Sequence, residues 1–276
     1  MDKIKTTHVG SLPRSKKLSE ILFKKDKNEL FDQGELDKII EEDVNKIVKK
    51  QIDIGIDIIS DGEMSKISYA TYVKDRLHGF SGESERRAPK DLDDFPSYKE
   101  KIAKSGGTPT YTRPCCTADL KIKDTKSLTK DISNLKSALK KNNHSQGFIN
   151  SASPGVISNF LPNKFYKNDD DYLEALSKMM KTEYDEITKN DLLLQIDCPD
   201  LALARHMTFK NVSDEEFLVR AEKQIECLNE AIKDIDASKL RMHICWGNYE
   251  GPHIHDIGLE KILPIALKAN IQTYLI

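Results

Sequence analysis

No window of this 276-residue chain approaches the ~18 consecutive apolar residues of a membrane-spanning helix. Met1 to Lys5 is polar and leads straight into a strand-like run. It has no apolar core of a secretory signal, so a cytoplasmic location is expected. Charge of one sign is also missing. Lysine and arginine number 43 against 45 acids, and a net charge of −2 gives no reason to expect nucleic acid or an acidic membrane surface as partner. Cysteine is scarce, with five residues at irregular spacing, and an odd count in a chain of this size argues against a disulfide framework. No internal repeat or low-complexity segment stands out.

What is present is ample core material, 38% hydrophobic residues, in a length that fits one large α/β barrel or two small domains. Short β-branched runs alternate with longer helical patterns, the signature of βα units and a parallel sheet. Seven candidate strands lie near Ile4–Val9, Asp57–Ser60, Pro109–Arg113, Gly147–Ser151, Leu192–Ile196, Leu240–Cys245 and Ile271–Ile276. Between them the 3.6-residue period recurs, as in Leu36, Ile39, Ile40, Val44, Ile47, Val48 and Ile52, and again from Tyr172 to Ile187. The stretch Met64–Gly107 breaks the rhythm, being charged and carrying Pro89, Pro96 and Gly106-Gly107. It reads as an excursion inserted after the second strand.

Seven strands are one short of a (β/α)8 TIM-type barrel, whose active site lies at the carboxyl ends of the strands. The expectation is therefore a single barrel domain over residues 1–276, incomplete at its C-terminus, with the eighth strand missing. Polar residues fall where a barrel would use them. His8, Gly10, Ser11 and Arg14 follow the first strand, Asp61-Gly62-Glu63 the second, and Arg113 with Cys115-Cys116 the third. Ser151 to Gly155 follow the fourth, Asp197 to Asp200 the fifth, and His243 and Cys245 the sixth.

His243 and Cys245 stand two apart on an apparent strand, so both side chains face one way and can address one metal ion. Without context such a pair is more often two packed side chains, and no four-ligand zinc site can be completed from the residues that follow. Bland readings stand beside the other candidates too. Asp61 and Glu63 fit a turn with a helix-capping acid, and Asp200 fits a cap before Leu201. Cys115 and Cys116 point to opposite faces of a strand, Cys198 fits a small buried thiol, and Cys227 fits a helix core. The loop holding His253 and His255 fits local turn chemistry.

Four blocks in register carry a family resemblance across the whole chain: Thr6-Thr-His-Val-Gly-Ser-Leu-Pro-Arg14, Gly55-Ile-Asp-Ile-Ile-Ser-Asp-Gly-Glu63, Leu194-Gln-Ile-Asp-Cys-Pro-Asp200 and His243-Ile-Cys-Trp-Gly-Asn248. Together they resemble the catalytic domain of cobalamin-independent methionine synthase, and more closely its shorter single-domain relatives, which include alkyl transferases acting on coenzyme M.

The resemblance implies a zinc-dependent methyltransferase that moves a methyl group from a methylfolate-type donor to the thiol of homocysteine. Zinc would hold that thiol as a thiolate, since coordination to a divalent cation deprotonates sulfur. His243 and Cys245 would be the first two zinc ligands, and the family's remaining ligands would lie beyond Ile276. Glu63 and Asp197 match the acids that hold the amino group of homocysteine. Val9, Gly10 and Ser11 would cradle its carboxylate, and Arg113 would meet the glutamate tail of a folate, although Arg-Pro-Cys-Cys departs from the synthase pattern. The alternatives are alkyl transfer to another small thiol such as coenzyme M, an inactive truncated barrel, and an enzyme like uroporphyrinogen decarboxylase, which would leave His243 and Cys245 idle.

Overall fold

The computed structural model describes residues 4–85, 88–104, 111–248 and 251–276. Its strands are β1 (Ile59–Ser60), β2 (Leu77–Ser81), β3 (Cys115–Ile122), β4 (Gly147–Ala152), β5 (Leu193–Asp197), β6 (Leu240–His243) and β7 (Thr273–Leu275). Five form one parallel sheet in the order β1-β4-β5-β6-β7. Thr7 extends it by an isolated parallel bridge to Ile58.

The α/β architecture is as expected, with the wall open among the described residues. The first expected strand contributes only its bridge. The third is elsewhere: residues 111–114 have no regular structure, Pro109 and Thr110 lie outside the described residues, and the strand of this region is β3. β3 pairs antiparallel with β2 in a separate two-stranded sheet. The sheet therefore passes from β1 directly to β4.

Parallel neighbours need a crossover between them, and helices supply it. The helix Asp169–Lys189 joins β4 to β5, Asp214–Ile232 joins β5 to β6, and Leu259–Ala266 joins β6 to β7. Three of the long helices start on a side chain that accepts from their free N–H groups. Asp32 accepts from Glu35 N before Gln33–Asp53, Asn168 accepts from Asp171 N, and Ser213 and Glu216 form a reciprocal capping box. Their apolar stripes, such as Leu36, Ile39, Ile40, Val44 and Val48, are buried. Each such Leu or Ile contributes about 2 kcal/mol by leaving water.

Strand residues alternate between faces. Ile149 on β4, Leu194 and Ile196 on β5, and Leu240 and Met242 on β6 belong to the main core. The opposite face carries Phe148, Asn150, Gln195, Asp197, Arg241 and His243, with Asn150 beside Gln195 and Asp197 beside His243 in the register. A parallel strand buried between two apolar layers would be hydrophobic on both sides. This sheet keeps one side polar and curls around it. Arg241 reaches across to Thr7 Oγ1 (3.1 Å) and His8 O (3.0 Å), and Gln195 reaches Val9 O (2.7 Å).

The segment after Glu63 begins inside the molecule, since Met64, Lys66, Ala70, Thr71, Tyr72, Val73, Arg76 and Leu77 are all buried. Buried charge there is paired: Arg76 donates to Tyr72 O and contacts Glu183, which also accepts from Ser151. Among the described residues no helix is long and apolar enough to cross a membrane.

Candidate active site

The loop after the first bridge lies over the turn that follows β1. Leu12 N donates to Gly62 O (3.1 Å), and Arg14 Nη2 donates to Glu63 O (2.8 Å) and Lys66 O (2.5 Å). Asp61 Oδ1 accepts from Glu63 N (2.9 Å), closing the turn from inside. Gly62 and Glu63 are both left-handed, with φ of 66° and 56°. A Cβ on Gly62 would stand 2.9 Å from Met64 Cε and 3.1 Å from Leu12 Cβ, so the close approach needs glycine. For Glu63 the left-handed conformation costs roughly 1–2 kcal/mol. The turn holds it there and aims the carboxylate inward, beneath Gly10, whose added Cβ would be 3.7 Å from Glu63 Oε1.

At the centre, one nitrogen connects two acids. Asn150 Nδ2 donates to Glu63 Oε1 (2.8 Å) and to Asp197 Oδ2 (2.7 Å). Lys66 Nζ donates to Asn150 Oδ1 (3.0 Å) and Asn150 O (2.6 Å). Asp197 Oδ1 accepts from Gln195 Nε2 (2.7 Å) and lies 3.1 Å from His243 Nδ1. Arg241 Nε donates to Gln195 Oε1 (3.1 Å), and its guanidinium carbon is 4.0 Å from the centre of the Phe148 ring.

Burial raises the Glu63 carboxyl to about 7. Lys66 and Arg14 pull it down, while Asp197 and Asp61 push it further up. Burial opposes a charge on His243, but hydrogen bonds with Asp197 and Cys245 outweigh it and raise the imidazole to about 9. The Tyr69 phenol is pushed well above its ordinary range by burial, with Asp197, Cys245 and Glu63 acting in the same direction.

The expected site residues divide into two groups. Val9, Gly10, Glu63, Asp197, His243 and Cys245 gather at one end of the curled sheet, and Ser11 is exposed beside them. Arg113 lies in a separate cavity of about 500 Å³ with Cys115, Asn159, Phe160 and Asp200. There its guanidinium stacks 4.8 Å from the Phe160 ring centre and donates to Tyr111 Oη (3.2 Å). Asp200 does not cap the helix after it. Its Oδ1 accepts from Ser153 Oγ (2.7 Å), and Ser153 caps the earlier helix Pro154–Phe160. Burial raises that carboxyl to about 7.

Sequence reasoning missed Asn150, Lys66, Gln195, Arg241 and Tyr69. The signal for three of them was polar residues at alternate positions within apolar strand runs: Asn150 in Phe-Ile-Asn, Gln195 in Leu-Leu-Gln-Ile-Asp, Arg241 in Leu-Arg-Met-His.

His243 and Cys245 are the metal-type donors of this site. With Nδ1 against Asp197, His243 leaves Nε2 for a ligand, the orientation that carboxylates impose on metal-binding histidines. A catalytic zinc takes three protein ligands and one open position. Among the described residues no group of three or more His, Cys, Asp or Glu side chains is arranged to hold a metal ion. Among the described residues the donor set is therefore short of a zinc site.

Comparisons with known proteins give the family and the fold. Residues 4–259 match the family model described as the catalytic domain of cobalamin-independent synthase. A methionine synthase of Sulfolobus acidocaldarius is 25% identical over 266 residues, covering 95% of this chain and 68% of that protein. One of Saccharolobus solfataricus is 24% identical over 260 residues, covering 93% and 68%. Among solved structures, a B12-independent methionine synthase from a Shewanella species in complex with selenomethionine superposes with a TM-score of 0.65 at 19% identity. The match takes in 88% of this chain and 64% of that one, so the chain spans just under two thirds of that protein's length. A putative B12-independent methionine synthase from Listeria monocytogenes gives 0.63 at 20% identity, over 99% of this chain and 73% of that one.

Proposed function

This chain belongs to the cobalamin-independent synthase catalytic-domain family, and on that premise we propose that it is a methyltransferase carrying a methyl group to the sulfur of homocysteine, giving methionine. The observation that carries the reading is the pair of buried carboxylates, Glu63 and Asp197, within 2.8 Å of one nitrogen. Glu63 keeps one carboxylate oxygen without a hydrogen bond among the described residues, and a buried carboxylate of this kind suits an ammonium group, which has three donors and no acceptor. A Glu63 carboxyl near 7 ionises when such a cation arrives, and burial strengthens the attraction between them.

In this reading the amino group of homocysteine lies against Glu63, and Val9 and Gly10, with Ser11 at the rim, meet its carboxylate. The thiol then points toward His243 and Cys245. The sulfur attacks the methyl carbon, the donor's N–CH3 bond breaks with its electron pair left on nitrogen, and that nitrogen takes up a proton as the thiol loses one. A methylfolate would occupy the cavity at Arg113, its glutamate carboxylates meeting the guanidinium. If zinc takes part, as the family resemblance implies, His243 and Cys245 are the donors this chain offers, and at least one more is needed. A cytoplasmic location goes with this reading.

Incubation with homocysteine and methyltetrahydrofolate, with methionine measured by mass spectrometry, tests it. Methionine is the expected product, and coenzyme M is expected to be methylated far more slowly. Faster methylation of coenzyme M would replace the acceptor. Zinc binding, measured by equilibrium dialysis, is expected to weaken in Cys245→Ser, and unchanged binding would remove Cys245 as a donor.

A further inference from the structure

Asn150 Nδ2 has two hydrogens, and both are directed at carboxylate oxygens, on Glu63 and on Asp197. The amide is not free to turn. Its Oδ1 and its backbone oxygen both accept from Lys66 Nζ, at 3.0 and 2.6 Å, and Lys66 is only 2% exposed. A buried ammonium that loses an acceptor is left unsatisfied, so Lys66 holds the Asn150 carbonyl toward itself and the NH2 toward the two acids. Turned the other way, Asn150 would present its carbonyl oxygen to two carboxylates.

Asp197 is then fully engaged, by Asn150 on one oxygen and by Gln195 and His243 on the other. Glu63 differs. Its Oε1 accepts from Asn150, while its Oε2 accepts no hydrogen bond found among the described residues. Between Glu63 and Asp197, the one carboxylate oxygen with no hydrogen bond among the described residues is therefore on Glu63, and the direction in which it points is set by the bond that Asn150 makes to the other oxygen.

We infer that Asn150, locked by Lys66, is a positioning residue for the acceptor's amino group: by holding Glu63 Oε1 against Asp197 it leaves Glu63 Oε2 to receive an ammonium, and so selects thiols that carry an α-amino group over those that do not. This rests on the acceptor reading given above. The amide stays in place when the ligand binds, because leaving would strand Lys66 and both carboxylates together.

The test compares homocysteine with 4-mercaptobutyrate, which keeps the thiol and carboxylate and lacks the amino group, by calorimetric titration of each variant. The wild type is expected to bind homocysteine at least about 10-fold more tightly, the value of one charge-assisted hydrogen bond. In Asn150→Ala and in Lys66→Met that preference is expected to fall to within about 3-fold through loss of homocysteine affinity, with 4-mercaptobutyrate binding little changed. Lys66→Arg, which keeps a donor, should retain most of it. Ser151→Ala serves as a structural control. Its hydroxyl donates to Glu183 on the opposite face, and its loss is expected to lower the melting temperature without altering the preference.

Equal weakening of both ligands in Asn150→Ala and Lys66→Met would overturn the inference, as would an unchanged preference. Should Asn150→Ala fail to fold, the contrast between Lys66→Met and Lys66→Arg decides alone. A wild type without any preference would instead overturn the acceptor reading on which the inference stands.

Discussion

The inner face of β4, β5 and β6 and the cavity around Arg113 are both polar, but their polar atoms are in opposite states. On the strands, three polar side chains are bridged among themselves and the first loop: Asn150 spans Glu63 and Asp197, Gln195 spans Val9 and Asp197, and Arg241 spans Gln195, Thr7 and His8. In the cavity, Arg113 Nε and Asn159 Nδ2 are buried without a hydrogen-bond partner among the described residues. A satisfied network is rigid and already has the shape of what it binds, whereas unpartnered buried donors leave a site unfinished until a ligand supplies acceptors. On the proposed function, the small amino acid meets a prebuilt site and the larger, anionic methyl donor completes the other.

The largest effect that would break this contrast belongs to the prebuilt end. Glu63→Gln keeps the shape and removes the charge, and homocysteine affinity is expected to fall about 100-fold by titration calorimetry, the upper range for a hydrogen bond to a charged group. Coenzyme M, which has no amino group, should lose almost nothing, and equal losses would take Glu63 out of that role.

At the unfinished end, Arg113→Met is expected to raise KM for the methylfolate about 10-fold, with the homocysteine dissociation constant unchanged. A loss shared by both substrates would mean that the two regions are one site.

The smallest effect is on stability. Each region buries one carboxyl raised to about 7, Glu63 in the first and Asp200 in the second. Because these folded values stand above the unfolded ones of 4.5 and 3.8, the folded state binds more protons. Their stabilisation is complete below pH ~4 and is lost as pH rises through 7. Between pH 6 and 8 each group is expected to remove about 1 kcal/mol, or roughly 2–4 °C in melting temperature. Asp200→Asn should abolish one part of that slope while homocysteine binding is kept, and Glu63→Gln the other part while binding is lost. A slope unchanged by either would place its origin elsewhere.

The first group was largely legible in the sequence because its motifs are local. Asp-Gly-Glu declares a turn by spacing alone, Asp197 follows an apolar run, and His243 closes β6, although the expected strand face stops there and Cys245 lies just past it. The residues that organise the site were not legible. Asn150 and Arg241 acquire meaning only from what faces them across the curled sheet, and Lys66 lies in a charged stretch that reads as an excursion yet folds back against Asn150. The third strand was misplaced for a related reason. Tyr111-Thr-Arg113 has the composition of a strand, but pairing starts after Pro114, where Cys115–Ile122 finds β2 as an antiparallel partner. Choice of partner is a tertiary event, and β propensity reports it poorly.

The contacts of Arg241 with Thr7 and His8 join residues separated by 234 and 233 positions. A ribosome releasing this chain at ~5–20 residues per second would hold Thr7 and His8 without these contacts for roughly 10–50 seconds. The junction of the first bridge with β6 is therefore among the last parts of the molecule to assemble, since closing so long a loop precedes any reward from its contacts. A chain interrupted before β6 could carry Glu63, Asn150 and Asp197 and still present no pocket.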